Sequence, residues 1–109
     1  MSETNKILIA DLNKTMAIAL PLEISFTVLE EQLADYVNNL ILKDFEKLVS
    51  LLYRIDVSEA KLKHLLHLYA NENAGRIIAQ LIIERQLQKI KSREAFSKKN
   101  NEADENETW

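Results

Sequence analysis

The stretch from about Asn73 to Phe96 most constrains the fold, because it is the longest apolar-periodic run in the chain and is apolar on two sides. At about 100° per residue, one face of this helix carries Ala74, Ile77, Ile78, Leu81 and Ile82. The roughly opposite face carries Ala79, Ile83, Leu87 and Ile90. A helix with two apolar faces needs two neighbours. The second face therefore predicts either a central helix buried on both sides within one chain or a surface offered to another protein.

The composition of the chain favours helices over strands. Its 109 residues include only one glycine, Gly75, and one proline, Pro21, which leaves little material for β-turns. The abundance of Leu, Ile, Ala, Glu and Lys is typical of helical proteins. We therefore predict an all-α fold, a compact bundle of four to five helices. Residues 1–99 would form a single helical domain, large enough to bury a core without metals or disulfides, and the chain has no cysteine.

Residues 1–26 fit two patterns. Leu8, Leu12 and Met16 are four residues apart, as on one face of a helix that would end upstream of Pro21. The apolar residues from Met16 to Ile24 also alternate, which is a strand pattern. We prefer a helix of roughly Thr4 to Ala19 followed by an extended connector, because a lone strand would have nothing to pair with.

Capping residues predict where the next helices begin. Thr27 with Glu30 three residues later forms a capping box that would start the second helix. Asp44 would cap a third helix, and Ser58 a fourth, with Val57 packed on Leu62 as a hydrophobic staple. A single kinked helix through the second and third segments is the alternative.

The inward faces follow from the helical period. In the second helix we expect the buried arc Leu29, Leu33, Tyr36, Val37, Leu40 and Ile41. In the third helix we expect the buried arc Phe45, Leu48, Val49, Leu51, Leu52 and Ile55. In the fourth helix the inward residues would be Leu62, Leu65, Leu66 and Tyr69.

The link into the last helix has turn chemistry. Asn71 and Asn73 would supply a turn and a cap. Gly75 would then lie in the first turn of the helix, where the absence of a side chain permits close approach of a neighbour.

No motif in the chain predicts catalysis. It has no Gly-rich phosphate loop, no nucleophile elbow and no zinc-protease helix motif. His64 and His67 are three residues apart and could share a metal ion, but the helical wheel places both in water, opposite Leu62 and Leu65. We therefore predict a protein that is not an enzyme and that has no metal site and no cofactor.

Charge and hydropathy bear on location and partners. The formal net charge is −3, which argues against general attraction to nucleic acid or to an anionic membrane. The N-terminus does not fit a secretory signal, and no segment is apolar enough to span a bilayer. The sequence predicts a soluble cytoplasmic protein.

The C-terminal quarter is polarised in charge. Six bases lie close together against the single Glu94: Arg85, Lys89, Lys91, Arg93, Lys98 and Lys99. The segment from Asn100 to Trp109 is acidic and too polar to bury a core, so we predict a disordered tail. The basic run could contact phosphates, although cations near a helix C-terminus also complement the helix dipole without any ligand.

The runs DFEKLVSLLYRIDVSEAKLKHLL (Asp44 to Leu66) and IIAQLIIERQLQKIKSR (Ile77 to Arg93) resemble a group of short, uncharacterised helical bacterial proteins. The similarity covers about Tyr36 to Phe96. It implies an all-α protein and transfers no functional residue.

Two hypotheses for function follow. The first is a protein–protein interaction module, or a homodimer, that acts through the last helix. Its contact residues would be Ile83, Leu87 and Ile90, with Arg85, Lys89 and Lys91 as a charged rim. The alternative is a nucleic-acid-binding protein that uses the basic end of the same helix.

Overall fold

The computed structural model describes residues 3–70 and 73–107, with side chains described as far as residue 96. This part of the chain forms five helices and contains no strand: α1 (Glu3–Met16), α2 (Phe26–Lys43), α3 (Phe45–Ile55), α4 (Glu59–Leu68) and α5 (Ala74–Glu107). The prediction of a compact all-α bundle is confirmed. None of the helices in the described ranges combines the length and the apolar content that crossing a bilayer requires.

The long helix α5 is the centre of the bundle. It packs against each of the other four helices, and most extensively against α2. The apolar core draws residues from α1, α2, α3 and α5, and the members with the least exposure include Ile9, Leu12, Leu29, Leu33, Val37, Ile55 and Ile82. Helix α4 contributes no fully buried residue and packs against α5 at the edge of the bundle.

The break between α2 and α3 lies where the sequence predicts it. Asp44 takes non-helical backbone angles, φ −155° and ψ 72°, and its side chain accepts a hydrogen bond from the Lys47 N–H at 3.2 Å. The alternative of one kinked helix through both segments is therefore wrong, because α2 and α3 are separate helices. Ser58 caps α4 in the same way by accepting from the Lys61 N–H at 3.2 Å, so both predicted caps are confirmed.

The predicted start of α2 at Thr27 is wrong. Ser25 is the N-cap: its hydroxyl oxygen accepts a hydrogen bond from the Val28 N–H, and the helix begins at Phe26. Serine is the better capping residue of the two. Glu30 lies five residues after this cap, too far for a capping box, and its carboxylate pairs instead with Arg76 of α5 at 3.0 Å.

The predicted close approach at Gly75 is confirmed, and the neighbour is α2. The Gly75 N–H donates to the Asn38 side-chain oxygen at 3.1 Å. A Cβ at this position would lie 2.7 Å from the Ala34 carbonyl oxygen. Asn73 caps α5 through the Arg76 N–H, whereas the turn predicted at Asn71 lies outside the described residues.

The tail predicted at Asn100–Trp109 stays a prediction. Side chains are not described beyond residue 96, and residues 108–109 lie outside the described ranges.

Candidate protein interface

The second apolar face of α5 lies inside the protein. Ile83 and Ile90 are each only 3% exposed and belong to the main core, and Leu87 is half-buried against it. The structure therefore favours the interpretation in which α5 is buried on both sides within one chain. Only Leu87 remains partly accessible, in a small depression that it shares with Phe26.

The basic residues of α5 are partly engaged within the chain. The Arg85 guanidinium donates to the Asp56 carbonyl oxygen at 3.1 Å and pairs with the Asp56 carboxylate at 3.2 Å. Arg93 forms an ion pair with Asp11 of α1. Lys89 is half-buried and Lys91 is exposed. Of the four basic residues from Arg85 to Arg93, two thus already form an ion pair with a carboxylate of the same chain.

A row of exposed apolar side chains lies instead on α3. Phe45, Val49 and Tyr53 are 59%, 49% and 89% exposed and are spaced by four residues, so they form a row along the helix. We call this row the α3 ridge. The prediction that Phe45 and Val49 point inward is wrong.

The reason for the ridge is the width of the apolar arc of α3. Leu48, Leu51 and Ile55 face the core and are buried. Val49 is about 100° around the helix from Leu48, beyond the arc that α1, α2 and α5 cover. An apolar arc wider than the neighbours can cover leaves one edge in water, and here that edge is the ridge.

An apolar groove runs beside the ridge, between α3 and α4. Its volume is about 460 Å³, and it extends from the end of α2 to the first turns of α5. The groove is open because Leu62, Leu65 and Leu66 of α4 are only half-buried. The prediction that Tyr69 faces inward is wrong, since this C-cap residue is 47% exposed. We call it the α3–α4 groove; its apolar walls include Ile41, Leu48, Leu52, Leu62, Leu66 and Ile78.

Charged groups border both sides of the ridge. At the groove edge, Glu59 and Lys63 of α4 form an ion pair of 3.1 Å. On the other side, Glu46, Ser50 and Arg54 follow one another at four-residue spacing and line a shallow depression together with the ridge. We call these three residues the charged flank. They are exposed, and Arg54 also donates to the Thr15 carbonyl oxygen at 3.2 Å.

The two histidines lie on a different surface. His64 and His67 are both exposed on α4. Among the residues that the structure describes, no group of three or more His, Asp or Glu side chains is placed to hold a metal ion.

Sequence reasoning missed the α3 ridge, although a signal for it exists. Tyr53 falls outside the predicted buried arc of α3, and it extends the line from Phe45 through Val49 at the same spacing. An aromatic residue that continues an apolar row beyond the buried arc is a sign of an exposed contact surface.

No protein-family model, no curated protein and no solved structure matches the chain. The resemblance to short bacterial helical proteins therefore stays a prediction.

Proposed function

We propose that the protein is a non-enzymatic protein–protein interaction module whose contact surface is the α3 ridge together with the α3–α4 groove. Its occupant is the apolar face of a helix of a protein chain. The observation that carries the proposal is the exposed row Phe45, Val49 and Tyr53 beside an open apolar groove.

The composition of the ridge supports this function. An exposed apolar patch costs free energy in water, and contiguous patches of this kind mark contact sites more often than isolated apolar residues do. Tyrosine in particular is enriched among residues that dominate interface energies, because it buries a large area with few rotatable bonds. Tyr53 is the most exposed of these side chains, at 89%.

The shape of the surface favours a helix as the occupant. A ridge next to a groove is the relief by which helices interlock, with the side-chain row of one helix placed in the furrow of the other. The groove has apolar walls and polar groups only at its edge, where Glu59 and Lys63 stay in water. An amphipathic helix would bury its apolar side there and keep its polar side wet.

The surface also replaces the last helix as the contact region. Ile83 and Ile90 could reach a partner only if the core opened, because each is 3% exposed. The ridge needs no such change, so a partner could bind to it without unfolding α5.

Photo-crosslinking tests the proposal. A benzophenone amino acid placed at position 53 of the full chain in cells should form an adduct with a protein. The same amino acid at Phe96, which is 67% exposed on another helix, is the matched control and should form none. No protein adduct from position 53, or equal adducts from both positions, would overturn the proposal.

A further inference from the structure

The charged flank indicates which partner fits the α3 ridge. Glu46 lies at the N-terminal end of this row and Arg54 at the C-terminal end, with Ser50 between them. The two charges are thus opposite in sign and lie on the same side of the ridge, at opposite ends of the helix.

This order of charges is complementary to itself when two α3 helices run antiparallel. In an antiparallel helix pair, residues on the same flank of each helix face one another. Glu46 would then face Arg54 of the second copy, Arg54 would face Glu46 of the second copy, and the two Ser50 side chains would lie opposite each other. The paired charges would be about 3 Å apart along the axis, which an arginine side chain can span.

A parallel pair has no such match. The charged flank of one helix would lie against the other flank of the second helix, which consists of the groove residues Leu48 and Leu52. Neither Glu46 nor Arg54 would have a partner of opposite charge on the second α3. The nearest charges on that side, Glu59 and Lys63 of α4, are already paired with each other at 3.1 Å.

The apolar ridge is self-complementary in the same orientation. With a twofold axis near Val49, Val49 meets Val49 and Phe45 meets Tyr53 of the second copy. The same apolar row of each chain therefore forms the contact, with the two α3–α4 grooves on one side of the helix pair and the two charged flanks on the other. The four charges that line the two depressions beside the ridge, Glu46, Arg54, Glu59 and Lys63, sum to zero.

We propose that the partner of the α3 ridge is a second copy of this chain, docked with the two α3 helices antiparallel around Val49. This inference rests on the proposed function. The surface is then the interface of a homodimer whose orientation is set by two pairs between Glu46 and Arg54.

Charge exchange on the full-length protein tests the inference. The association constant of each chain is measured by sedimentation equilibrium at low ionic strength, where exposed charges are least screened. The wild type should have about twice the 12.6 kDa mass of one chain. Glu46→Arg and Arg54→Glu each turn two attractive pairs into repulsive ones, so each variant alone should associate on the order of tenfold more weakly.

Mixing the two variants is the decisive step. A pair of one Glu46→Arg chain and one Arg54→Glu chain has opposite charges at both contacts, so the mixture should form a heterodimer that neither variant forms with itself. Glu31→Arg and Lys14→Glu make charge reversals of the same kind at exposed positions of α2 and α1 and are the matched controls. Their self-association should match the wild type, and mixing them should change nothing.

A second variant keeps the test independent of the charges. Tyr53→Lys should weaken association about 100-fold while leaving the helix content unchanged, because its side chain is 89% exposed. A purified wild type that is monomeric, or a dimer that tolerates all three variants, would overturn this inference. If the purified chain is monomeric while position 53 crosslinks to a different protein, the homodimer is excluded and the proposed interaction module stands.

Discussion

The side-chain amide of Asn13 forms two hydrogen bonds with the backbone of Leu20, one to its carbonyl and one to its N–H. The Asn13 Nδ2 donates to the Leu20 carbonyl oxygen at 2.9 Å, and the Leu20 N–H donates to the Asn13 Oδ1 at 2.7 Å. The Asn5 side chain holds the connector further along by donating to the Ile24 carbonyl oxygen at 2.8 Å. Leu20 and Ile24, two of the alternating apolar residues between α1 and α2, thus bond to asparagine side chains and not to a neighbouring strand.

Replacing Asn13 should destabilise the fold. Asn13→Leu leaves the Leu20 N–H and carbonyl without their partners in a half-buried place, and we expect the free energy of unfolding to fall by about 2 kcal/mol. Asn13→Asp keeps the acceptor and loses the donor, so it should be damaging as well. Urea unfolding followed by circular dichroism measures the change. The control Asn39→Ala, on the exposed side of α2, should stay within about 0.5 kcal/mol of the wild type.

Adding a side chain at Gly75 should separate α2 from α5. The Cβ of Gly75→Ala would lie 2.7 Å from the Ala34 carbonyl oxygen, and backbone cannot rotate away as a side chain can. We expect a loss of about 2 kcal/mol or more, although alanine is the better helix former by about 1 kcal/mol. Thermal unfolding measures the loss. Gln88→Ala, on the exposed side of the same helix, is the control, and a Gly75→Ala protein of wild-type stability would contradict the close approach.

The second face of α5 should respond to truncation as core. Ile83→Ala removes a buried side chain and should reduce the free energy of unfolding by about 3 kcal/mol. Leu87→Ala should cost less, because Leu87 is only half-buried. Urea unfolding compares the two. Equal and small losses at both positions would return this face to the list of candidate surfaces.

Gln86 is a buried polar residue of α5. It is 5% exposed, and its side-chain oxygen has no hydrogen-bond partner among the described residues. Gln86→Met keeps the length of the side chain and removes the unsatisfied oxygen, so we expect the free energy of unfolding to rise by about 1 kcal/mol. A decrease of that size would indicate that the oxygen has a partner such as a bound water.

The nucleic-acid alternative makes a prediction that depends on salt. Arg85 and Arg93 already pair with carboxylates, and the net charge is −3. We therefore expect fluorescence anisotropy to detect little binding of DNA or RNA, with or without residues 100–109. Tight binding by the truncated chain that falls steeply between about 50 and 200 mM salt would instead support the basic run.

Local signals predicted much of this fold. The caps at Asp44 and Ser58, the buried arc of α2 and the close approach at Gly75 each depend on residues a few positions apart, so periodicity and capping rules suffice for them. The start of α2 was missed because Thr27 and Glu30 have the spacing of a capping box, whereas the cap that forms is Ser25. The ion pair that Glu30 makes with Arg76 of α5 is a contact across 46 positions, and no local pattern contains it.

The candidate site depended on contacts that no local pattern records. The sequence by itself determined that the chain is all-helical and that α5 is apolar on two sides. Only the tertiary structure decided that Ile83 and Ile90 are covered from within and that Phe45, Val49 and Tyr53 are left out. The physical reason is that an apolar face gains the same free energy from any apolar cover. Which face receives that cover depends on how α1, α2, α3 and α4 share the limited surface of α5.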